Sequence, residues 1–307
     1  MHVLLEFLLS LGKVGWFCLV AFLKMFNPFK SKKNLDRDIV LVTGAGSGIG
    51  RLMAIRFAKL GAKVILWDIN REANEETCKE IKENGAIRVH AYGCDCSGKE
   101  GIYKVADPQI KREVGDVSIL INNAGVISGK KFFDVADKMA DLTFQVNTAA
   151  HFWTIKAFVP AMIAKNHGHI ITIASSAGLF GVAGLMDYCA SKYGAVGVHE
   201  SLASELSALK VDGVTSTLVC PFFIDTGMFD GVKTRFPFLL PILKPDYAVD
   251  KIMDAFHSNQ YMLLMPRIVY LFYCLQTILP KEALLEAGRF FGVNQSMNTF
   301  RGRVKKD

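Results

Sequence analysis

The chain has 307 residues, of which 51% are apolar, and a formal net charge of +7. This length allows one large domain or two small ones, and we expect one main domain with short appendages. The basic residues gather near the two ends instead of along an interior stripe, which favours a membrane surface over nucleic acid as the partner. The seven cysteines have no metal-ligand or redox-motif spacing, so the sequence predicts reduced thiols and no metal site.

The N-terminus carries an apolar run over residues 3–23, about the length that crosses a bilayer as a helix. Lys13 interrupts the run, so a spanning anchor, a helix lying in one leaflet and a buried amphipathic helix all stay open. No small-residue cleavage site follows, which argues against a removed signal peptide. Lys and Arg follow the run and none precedes it, so the rest of the chain is expected to face the cytosol. We predict a hydrophobic membrane anchor with a basic flank over residues 1–30.

From residue 38 onward short apolar runs alternate with helical patterns, which is typical of a parallel sheet with helices on both faces. The predicted strands are residues 39–43, 63–68, 88–92, 117–122, 169–174, 214–220 and 261–265. Helices are predicted between them, including one that ends at Gly61 and one over about 187–208. The predicted fold class is α/β, with a single Rossmann-type doubly wound parallel sheet over residues 36–265.

Two later segments depart from this alternation. Residues 222–243 are irregular and rich in Phe, Leu and Pro, before a predicted helix near 247–257. Residues 268–279 are apolar but too short to span a bilayer, so this segment could pack on the core or dip into a membrane face. We assign residues 266–307 to a C-terminal extension with an apolar helix and a basic tail.

A glycine-rich turn follows the first predicted strand and reads Thr43-Gly44-Ala45-Gly46-Ser47-Gly48-Ile49-Gly50. Bare backbone amides at a helix N-terminus bind the phosphates of dinucleotides. Asp68 ends the second predicted strand, where a carboxylate accepts hydrogen bonds from ribose hydroxyls and repels a 2′-phosphate. The sequence therefore predicts NAD in preference to NADP. Arg51 and Arg71 could reverse this preference by pairing with a phosphate.

Tyr188 and Lys192 are four residues apart on a predicted helix and therefore share one face. An ammonium beside a phenol favours the ionised phenol, and so lowers a tyrosine pKa from its usual value near ~10. Such a tyrosine can exchange protons near neutral pH. Taken singly, Tyr188 could also be a core aromatic residue, Ser175 a strand-end cap and Asn147 a helix-surface residue.

Together these motifs resemble the short-chain dehydrogenase/reductase family over about residues 36–265. The resemblance is carried by the glycine-rich turn, Asn122-Asn123-Ala124-Gly125, Asn147, Ser175, Tyr188-Cys189-Ala190-Ser191-Lys192 and Cys220-Pro221. It implies a catalytic tetrad of Asn147, Ser175, Tyr188 and Lys192. Tyr188 would exchange a proton with the substrate oxygen, which Ser175 would position. Lys192 would hold the nicotinamide ribose, and Asn147 would support a water chain to Lys192. Ser175 is preferred to Ser176 because it lies 13 residues before Tyr188.

The same resemblance implies a set of contacts to NAD along the carboxyl edge of the sheet. They are Gly44, Ser47, Gly48, Ile49, Gly50, Asp68, Asp95, Asn122, Ala124, Gly125, Tyr188, Lys192, Pro221, Ile224 and Thr226.

Within the family, residues 66–70, 115–125, 156–162 and 220–224 are similar to a group of membrane-bound retinol dehydrogenases, which is related to lipid-droplet 17-beta-hydroxysteroid dehydrogenases. This implies oxidation of all-trans-retinol with NAD on endoplasmic reticulum or lipid-droplet membranes, by a homodimer of the family's kind. A 17-beta-hydroxysteroid dehydrogenase and a non-catalytic lipid-droplet surface protein stay open as alternatives. Apolar residues could wall an elongated pocket for such an alcohol; the predicted substrate contacts are Ser175, Leu185, Met186, Phe222, Phe223 and Met228.

Overall fold

The computed structural model describes residues 2–25, 32–106 and 110–302. The chain divides into two compact units, one up to residue 33 and one from residue 34 onward. The predicted core and the described part of the C-terminal extension belong to the same unit.

The first unit contains one helix, α1, over His2–Met25. Its stretch Val3–Val20 is long and apolar enough to cross a membrane, judged by length and composition. Leu9, Trp16 and Phe17 are among the apolar side chains that this helix exposes. An exposed apolar helix of this length is consistent with the predicted anchor.

The second unit is built on one seven-stranded sheet whose strand order is β3-β2-β1-β4-β5-β6-β7. Every neighbouring pair in it is parallel. This confirms the predicted doubly wound α/β fold. The strands are β1 Ile39–Thr43, β2 Lys63–Asp68, β3 Val89–Gly93, β4 Ile119–Asn122, β5 Gly168–Ile173, β6 Val214–Pro221 and β7 Met262–Met265.

Helices connect the strands and cover both faces of the sheet. In chain order they are α2 Gly48–Lys59, α3 Arg71–Glu83, α4 Lys99–Val105, the single turn α5 Lys111–Glu113, α6 Asp137–Phe144, α7 Ala150–Lys165, α8 Met186–Ala208, α9 Pro245–His257, α10 Ile268–Gln276 and α11 Lys281–Phe290. A π-helical turn over Gln145–Ala149 joins α6 to α7.

The sheet is buried on both faces, which explains its nearly continuous apolar strands. One face packs against α2, α3 and α9 through side chains such as Phe57 and Phe256, whose rings are 5.0 Å apart. The other face packs against α4 and α7, where the ring centres of Trp67 and Phe158 are 5.6 Å apart. The strand order reverses between β1 and β4, and ligands of such sheets bind at the carboxyl ends of the strands beside that point.

The segment 268–279, for which the sequence left two alternatives, has two different sides. Val269 of α10 is buried in the core, whereas the side chain of Leu271 is 55% exposed. One side of this helix therefore packs on the core of the second unit, and the other remains on the surface.

Candidate active site

The glycine-rich turn runs from the end of β1 into α2, as the sequence predicts. Gly44 and Gly48 have φ angles of +67° and +58°, which only glycine adopts without strain. At Gly50 a side chain would collide with the Gly44 carbonyl oxygen and the Asn123 amide. The turn can therefore bring its backbone and the N-terminus of α2 close to an anionic ligand.

Asp68 at the end of β2 faces this turn. Its Oδ2 accepts a hydrogen bond from the Gly46 amide at 2.8 Å, and its Oδ1 accepts one from the Asn70 amide at 2.9 Å. Each carboxylate oxygen keeps a second lone pair, because an ionised carboxylate accepts about four hydrogen bonds. The side chain is thus fixed in place with acceptors to spare for a ligand's hydroxyl groups.

Two arginines could have reversed the cofactor preference. Arg51 of α2 forms an ion pair with Glu80 of α3, including a bond from its Nε to Glu80 Oε2 of 3.0 Å. Arg71 lies against Gly93 at the end of β3, so closely that a side chain at Gly93 would meet the Arg71 Cγ at 2.9 Å. Arg51 is therefore occupied by a carboxylate of the protein itself.

The three proposed reacting side chains meet at the carboxyl edge of the sheet. Ser175 follows β5, while Tyr188 and Lys192 lie one turn apart on α8, and all three line one cleft. Lys192 Nζ donates to the Ile173 carbonyl oxygen at 2.8 Å and lies 5.7 Å from the centre of the Tyr188 ring. Ser175 Oγ accepts from the Ala177 amide at 3.1 Å and lies 3.4 Å from the Pro221 carbonyl oxygen.

Burial controls the acid-base properties of this pair. It raises the pKa of Tyr188, and the hydrogen bond with Ser175 opposes that rise. It also lowers the pKa of Lys192 to about 8. The expectation that Lys192 lowers the pKa of Tyr188 is therefore corrected, because loss of water around the phenol is the largest effect and Ser175 supplies the opposing one.

Asn147 lies behind the cleft, in the π-helical turn, and its side chain is fully buried. Its Oδ1 accepts from the Val126 amide at 2.8 Å, and its Nδ2 donates to the Val126 carbonyl oxygen at 2.9 Å. Nδ2 is also 3.0 Å from Ser191 Oγ, which donates to the Tyr188 carbonyl oxygen at 2.8 Å. Asn147 therefore ties the segment after β4 to the helix that carries Tyr188 and Lys192.

Asp187 is a residue that the sequence reasoning missed. It immediately precedes Tyr188 and is buried. Ser128 Oγ donates to its Oδ1 at 2.9 Å, and Thr143 Oγ1 lies 3.2 Å from its Oδ2. This carboxylate thus joins the segment after β4 and helix α6 to the first turn of α8. An acidic residue at a helix N-terminus just before the tyrosine was the available signal.

The cleft has a volume of about 380 Å³ and extends from the glycine-rich turn to Tyr188. Every predicted cofactor contact lines it except Asn122. The Asn122 side chain is buried and its Oδ1 instead accepts from Thr154 Oγ1 at 2.8 Å. The neighbouring Asn123 lines the cleft in its place and donates from Nδ2 to the Thr43 carbonyl oxygen at 2.8 Å. These residues fit a dinucleotide: glycine backbone at a helix N-terminus for phosphate, and free acceptors on Asp68 for a ribose.

A smaller apolar pocket of about 40 Å³ opens beside Ser175 and Tyr188. Of the predicted substrate contacts, Leu185, Phe222 and Phe223 line it together with Ser175. Met186 is 54% exposed and does not line it, because it lies on the outer side of the first turn of α8. Met228 lines the larger cleft instead.

The aromatic wall of the apolar pocket includes further residues of the Phe- and Leu-rich segment after β6, which the sequence also offers as pocket walls. Phe229 packs edge-on against Tyr188 with ring centres 5.8 Å apart, and against Phe223 at 5.0 Å. Leu240 also lines the pocket, whereas Phe238 is 95% exposed. Further lining residues, Phe291, Val293 and Ser296, come from the C-terminal extension. The spacing of motifs in the sequence could not predict these three residues, because they come close to Ser175 and Tyr188 only in the folded chain.

No group of three or more His, Cys, Asp or Glu side chains with metal-binding geometry occurs within residues 2–25, 32–106 and 110–302. His151 and His199 are buried, and burial lowers the pKa of His199 to about 4. These histidines pack inside the unit as neutral side chains at physiological pH.

Comparisons with known proteins agree with this geometry. The short chain dehydrogenase family profile matches residues 38–235. Human epidermal retinol dehydrogenase 2 is 53% identical over 296 residues, which cover 96% of this chain and 95% of that protein. Retinol dehydrogenase 10-B of Xenopus laevis is 44% identical over 333 residues, covering 100% of this chain and 97% of that protein.

Solved structures show the same fold. A short chain dehydrogenase/reductase from Burkholderia phymatum in complex with NAD has a TM-score of 0.72 and 25% identity, covering 83% of this chain and 96% of that chain. A metagenomic short-chain oxidoreductase in complex with NADP has a TM-score of 0.62 and 30% identity, covering 76% of this chain and 98% of that chain. The cleft is thus of the kind that holds a nicotinamide dinucleotide, and the chain is an oxidoreductase that belongs to the short-chain dehydrogenase/reductase family.

Proposed function

We propose that this protein is a membrane-anchored, NAD-dependent dehydrogenase that oxidises all-trans-retinol to all-trans-retinal. The observation that carries the proposal is the convergence of Ser175, Tyr188 and Lys192 between a dinucleotide-type cleft and an aromatic pocket. The names of the human and Xenopus relatives support retinol as the alcohol. Direction is set by the supply of oxidised and reduced cofactor, since the chemistry runs both ways.

NAD is proposed over NADP because of Asp68. Its carboxylate is held toward the glycine-rich turn by the amides of Gly46 and Asn70, at the place where an adenosine ribose binds in sheets of this kind. A 2′-phosphate there would face a fixed negative charge. Ribose hydroxyls would instead donate to the spare lone pairs of the carboxylate.

The proton leaves the alcohol through Tyr188. Ser175 Oγ would hold the alcohol oxygen, and Tyr188 Oη would take its proton as general base. Lys192, protonated below a pKa of about 8, would place a positive charge beside the phenol and bind the nicotinamide ribose. The chemistry that a bound nicotinamide supplies is acceptance of the hydride from the alcohol carbon. Phe222, Phe223 and Phe229 would exclude water from this site.

The role of Asn147 is to hold the segment after β4 in a fixed position beside α8. Its bonds to both backbone groups of Val126 keep that segment beside Lys192, and a side chain at Gly125 would meet Lys192 Nζ at 3.7 Å. We propose that a water chain toward Lys192 passes this position and returns the proton to solvent.

The membrane assignment rests on α1. The exposed apolar stretch Val3–Val20 would insert into a bilayer of the endoplasmic reticulum or the surface of a lipid droplet, with the catalytic unit in the cytosol. We also propose a homodimer, the smallest assembly common among such enzymes. Deleting residues 1–28 should release the protein from membranes, and continued pelleting would place the main anchor elsewhere.

A panel of all-trans-retinol, oestradiol and androgen alcohols tests the activity, with full-length protein in membranes and either NAD or NADP. We expect retinol to give the highest kcat/KM of the alcohols, and NAD to support this oxidation better than NADP. Preferred oxidation of a steroid would identify a hydroxysteroid dehydrogenase. Cofactor binding without turnover of any alcohol would contradict an enzymatic role.

A further inference from the structure

The apolar pocket has a wall that lies outside the part of the chain matched by the family profile. That match ends at residue 235. Phe291, Val293 and Ser296 nevertheless line the pocket together with Ser175 and Tyr188. We call residues 291–302 the C-terminal strap. The strap therefore lies outside the part of the chain that the family profile matches, at the place where the alcohol would bind.

Hydrogen bonds attach the strap to the segment after β6. The Arg301 amide donates to the Asp230 carbonyl oxygen at 2.8 Å, and Thr299 Oγ1 donates to the Gly231 carbonyl oxygen at 2.5 Å. The Lys233 amide donates to the Ser296 carbonyl oxygen at 3.3 Å. These bonds hold residues 296–301 of the strap against residues 230–233.

Two close contacts attach the strap to the segment after β4 and to the turn before α8. The ring of Phe300 lies directly on Gly129, where any side chain would collide with it. Met297 lies over Gly184, where an added Cβ would be 3.3 Å from the Met297 Cβ. Both glycines have positive φ angles, +63° and +79°. Gly129 follows Ser128, whose hydroxyl binds Asp187 beside Tyr188, so the strap is connected to the reacting residues through packed groups.

The small volume of the pocket is the reason why the strap matters for substrate binding. Sites for drug-sized ligands have volumes of roughly 300–1,000 Å³, whereas this pocket has about 40 Å³. Ser175 after β5 and Tyr188 on α8 also line the pocket, and both are buried parts of the core. An elongated alcohol therefore gains its space on the side of the strap and of Phe229.

We infer that the C-terminal strap, through Phe291, Val293 and Ser296, is the specificity-determining wall that selects alcohols by length. This deepens the proposed function and rests on it. A short alcohol reaches Ser175 and Tyr188 without displacing the strap. A long apolar alcohol contacts the strap along its length, so substitutions there change its kcat/KM and leave that of a short alcohol nearly unchanged.

The test uses full-length protein and primary allylic alcohols of increasing length: prenol, geraniol, farnesol and all-trans-retinol. All four present the same reacting group. The quantity compared is the kcat/KM of the longest alcohol that is oxidised, divided by the kcat/KM of prenol. Val293→Phe adds volume to the wall and should lower this ratio by about tenfold or more. Val293→Ala should shift the ratio in the opposite direction. Phe300→Ala, which removes the contact on Gly129, should also change the ratio. Ile278→Ala is the matched control, because Ile278 is 77% exposed and does not line the pocket.

Cofactor binding, followed by quenching of protein fluorescence, shows that each variant is folded. Equal ratios in wild type, both Val293 variants and Phe300→Ala, with cofactor binding intact, would overturn the inference. A wild-type enzyme that oxidises the shorter alcohols but not retinol would contradict the proposed substrate alone. In that case the dependence on length among prenol, geraniol and farnesol still decides whether the strap selects.

Discussion

Lys192 Nζ lies 5.7 Å from the centre of the Tyr188 ring, one helical turn further along α8. Burial moves both groups toward their neutral forms: it raises the pKa of Tyr188 and lowers that of Lys192 to about 8. Proximity to the lysine therefore does not by itself ionise the tyrosine near neutral pH. The hydrogen bond from Ser175 is the interaction that opposes the effect of burial on Tyr188.

The first prediction concerns the pH dependence of turnover. Alcohol oxidation needs the ionised phenol, and its fraction rises about tenfold per pH unit below the pKa of Tyr188. We expect kcat for oxidation to rise from pH 6 to pH 8, because the Tyr188 pKa is raised and Lys192 stays protonated below about 8. Ser175→Ala should move this rise to higher pH, since it removes the interaction that lowers that pKa. A profile unchanged in position would remove Ser175 from the control of Tyr188.

The second prediction concerns the choice of cofactor. Asp68→Ser removes the charge that faces the glycine-rich turn and one set of ribose acceptors. A hydrogen bond to a charged group contributes about 1.5–3 kcal/mol, so the NAD-to-NADP ratio of kcat/KM should fall by about tenfold or more. Asp95→Ser is the matched control, because Asp95 lines the same cleft but its Oδ1 binds the Ser97 amide. If only the control alters the ratio, Asp68 does not bind the ribose.

Asp187 gives the third prediction, as a positioning residue. Asp187→Ala leaves the Ser128 hydroxyl without its acceptor and removes the contact with Thr143, whose hydroxyl keeps the Met139 carbonyl oxygen as an acceptor. The loss at Ser128 costs about 1–3 kcal/mol, and a displaced Tyr188 should lower kcat by about tenfold or more. KM for the cofactor should stay close to its wild-type value, because Asp187 is absent from the residues that line the cleft.

Asp187→Asn distinguishes positioning from a need for charge. Thr143 has one hydroxyl proton and lies 2.8 Å from the Met139 carbonyl oxygen as well as 3.2 Å from Asp187 Oδ2. An amide can donate to that hydroxyl oxygen while still accepting from Ser128, so it should restore most of kcat. Equal losses in both variants would show that the charge itself matters.

The fourth prediction concerns stability in acid. Burial lowers the pKa of His199 from 6.5 to about 4, so between these values the unfolded chain binds more protons than the folded one. Stability therefore falls as pH falls through this window. This histidine alone should remove about 2 kcal/mol between pH 7 and pH 5. The thermal midpoint of His199→Gln should fall less than that of wild type over the same range, and parallel curves would contradict the prediction.

The sequence predicted the sheet, and it predicted that Tyr188 and Lys192 share one side of a helix, for physical reasons. Strands buried on both faces are nearly continuous apolar runs, and the helix carrying Tyr188 and Lys192 has a spacing that places both on one side. The glycine-rich turn was recognisable because Gly44 and Gly48 need positive φ angles. These are local properties, which a single segment reveals.

The remaining features depend on contacts between distant segments. Asn122 and Asn123 are adjacent and chemically identical, and only the end of β4 decides that Asn123 lines the cleft while Asn122 binds Thr154. Asp187 binds Ser128, which is 59 residues away along the chain. Periodicity carries no information about such pairs. The direction of the Tyr188 pKa shift likewise depends on burial, which a spacing of four residues does not reveal.

The most direct measurement of the central claim is the turnover of Tyr188→Phe with retinol and NAD, followed by NADH formation, alongside NAD binding to the same protein. The substitution removes one oxygen and keeps the ring that packs against Phe229. We predict that oxidation falls by about a hundredfold or more, while NAD binds with nearly unchanged affinity. Turnover close to that of wild type would contradict Tyr188 as the group that takes the proton from the alcohol.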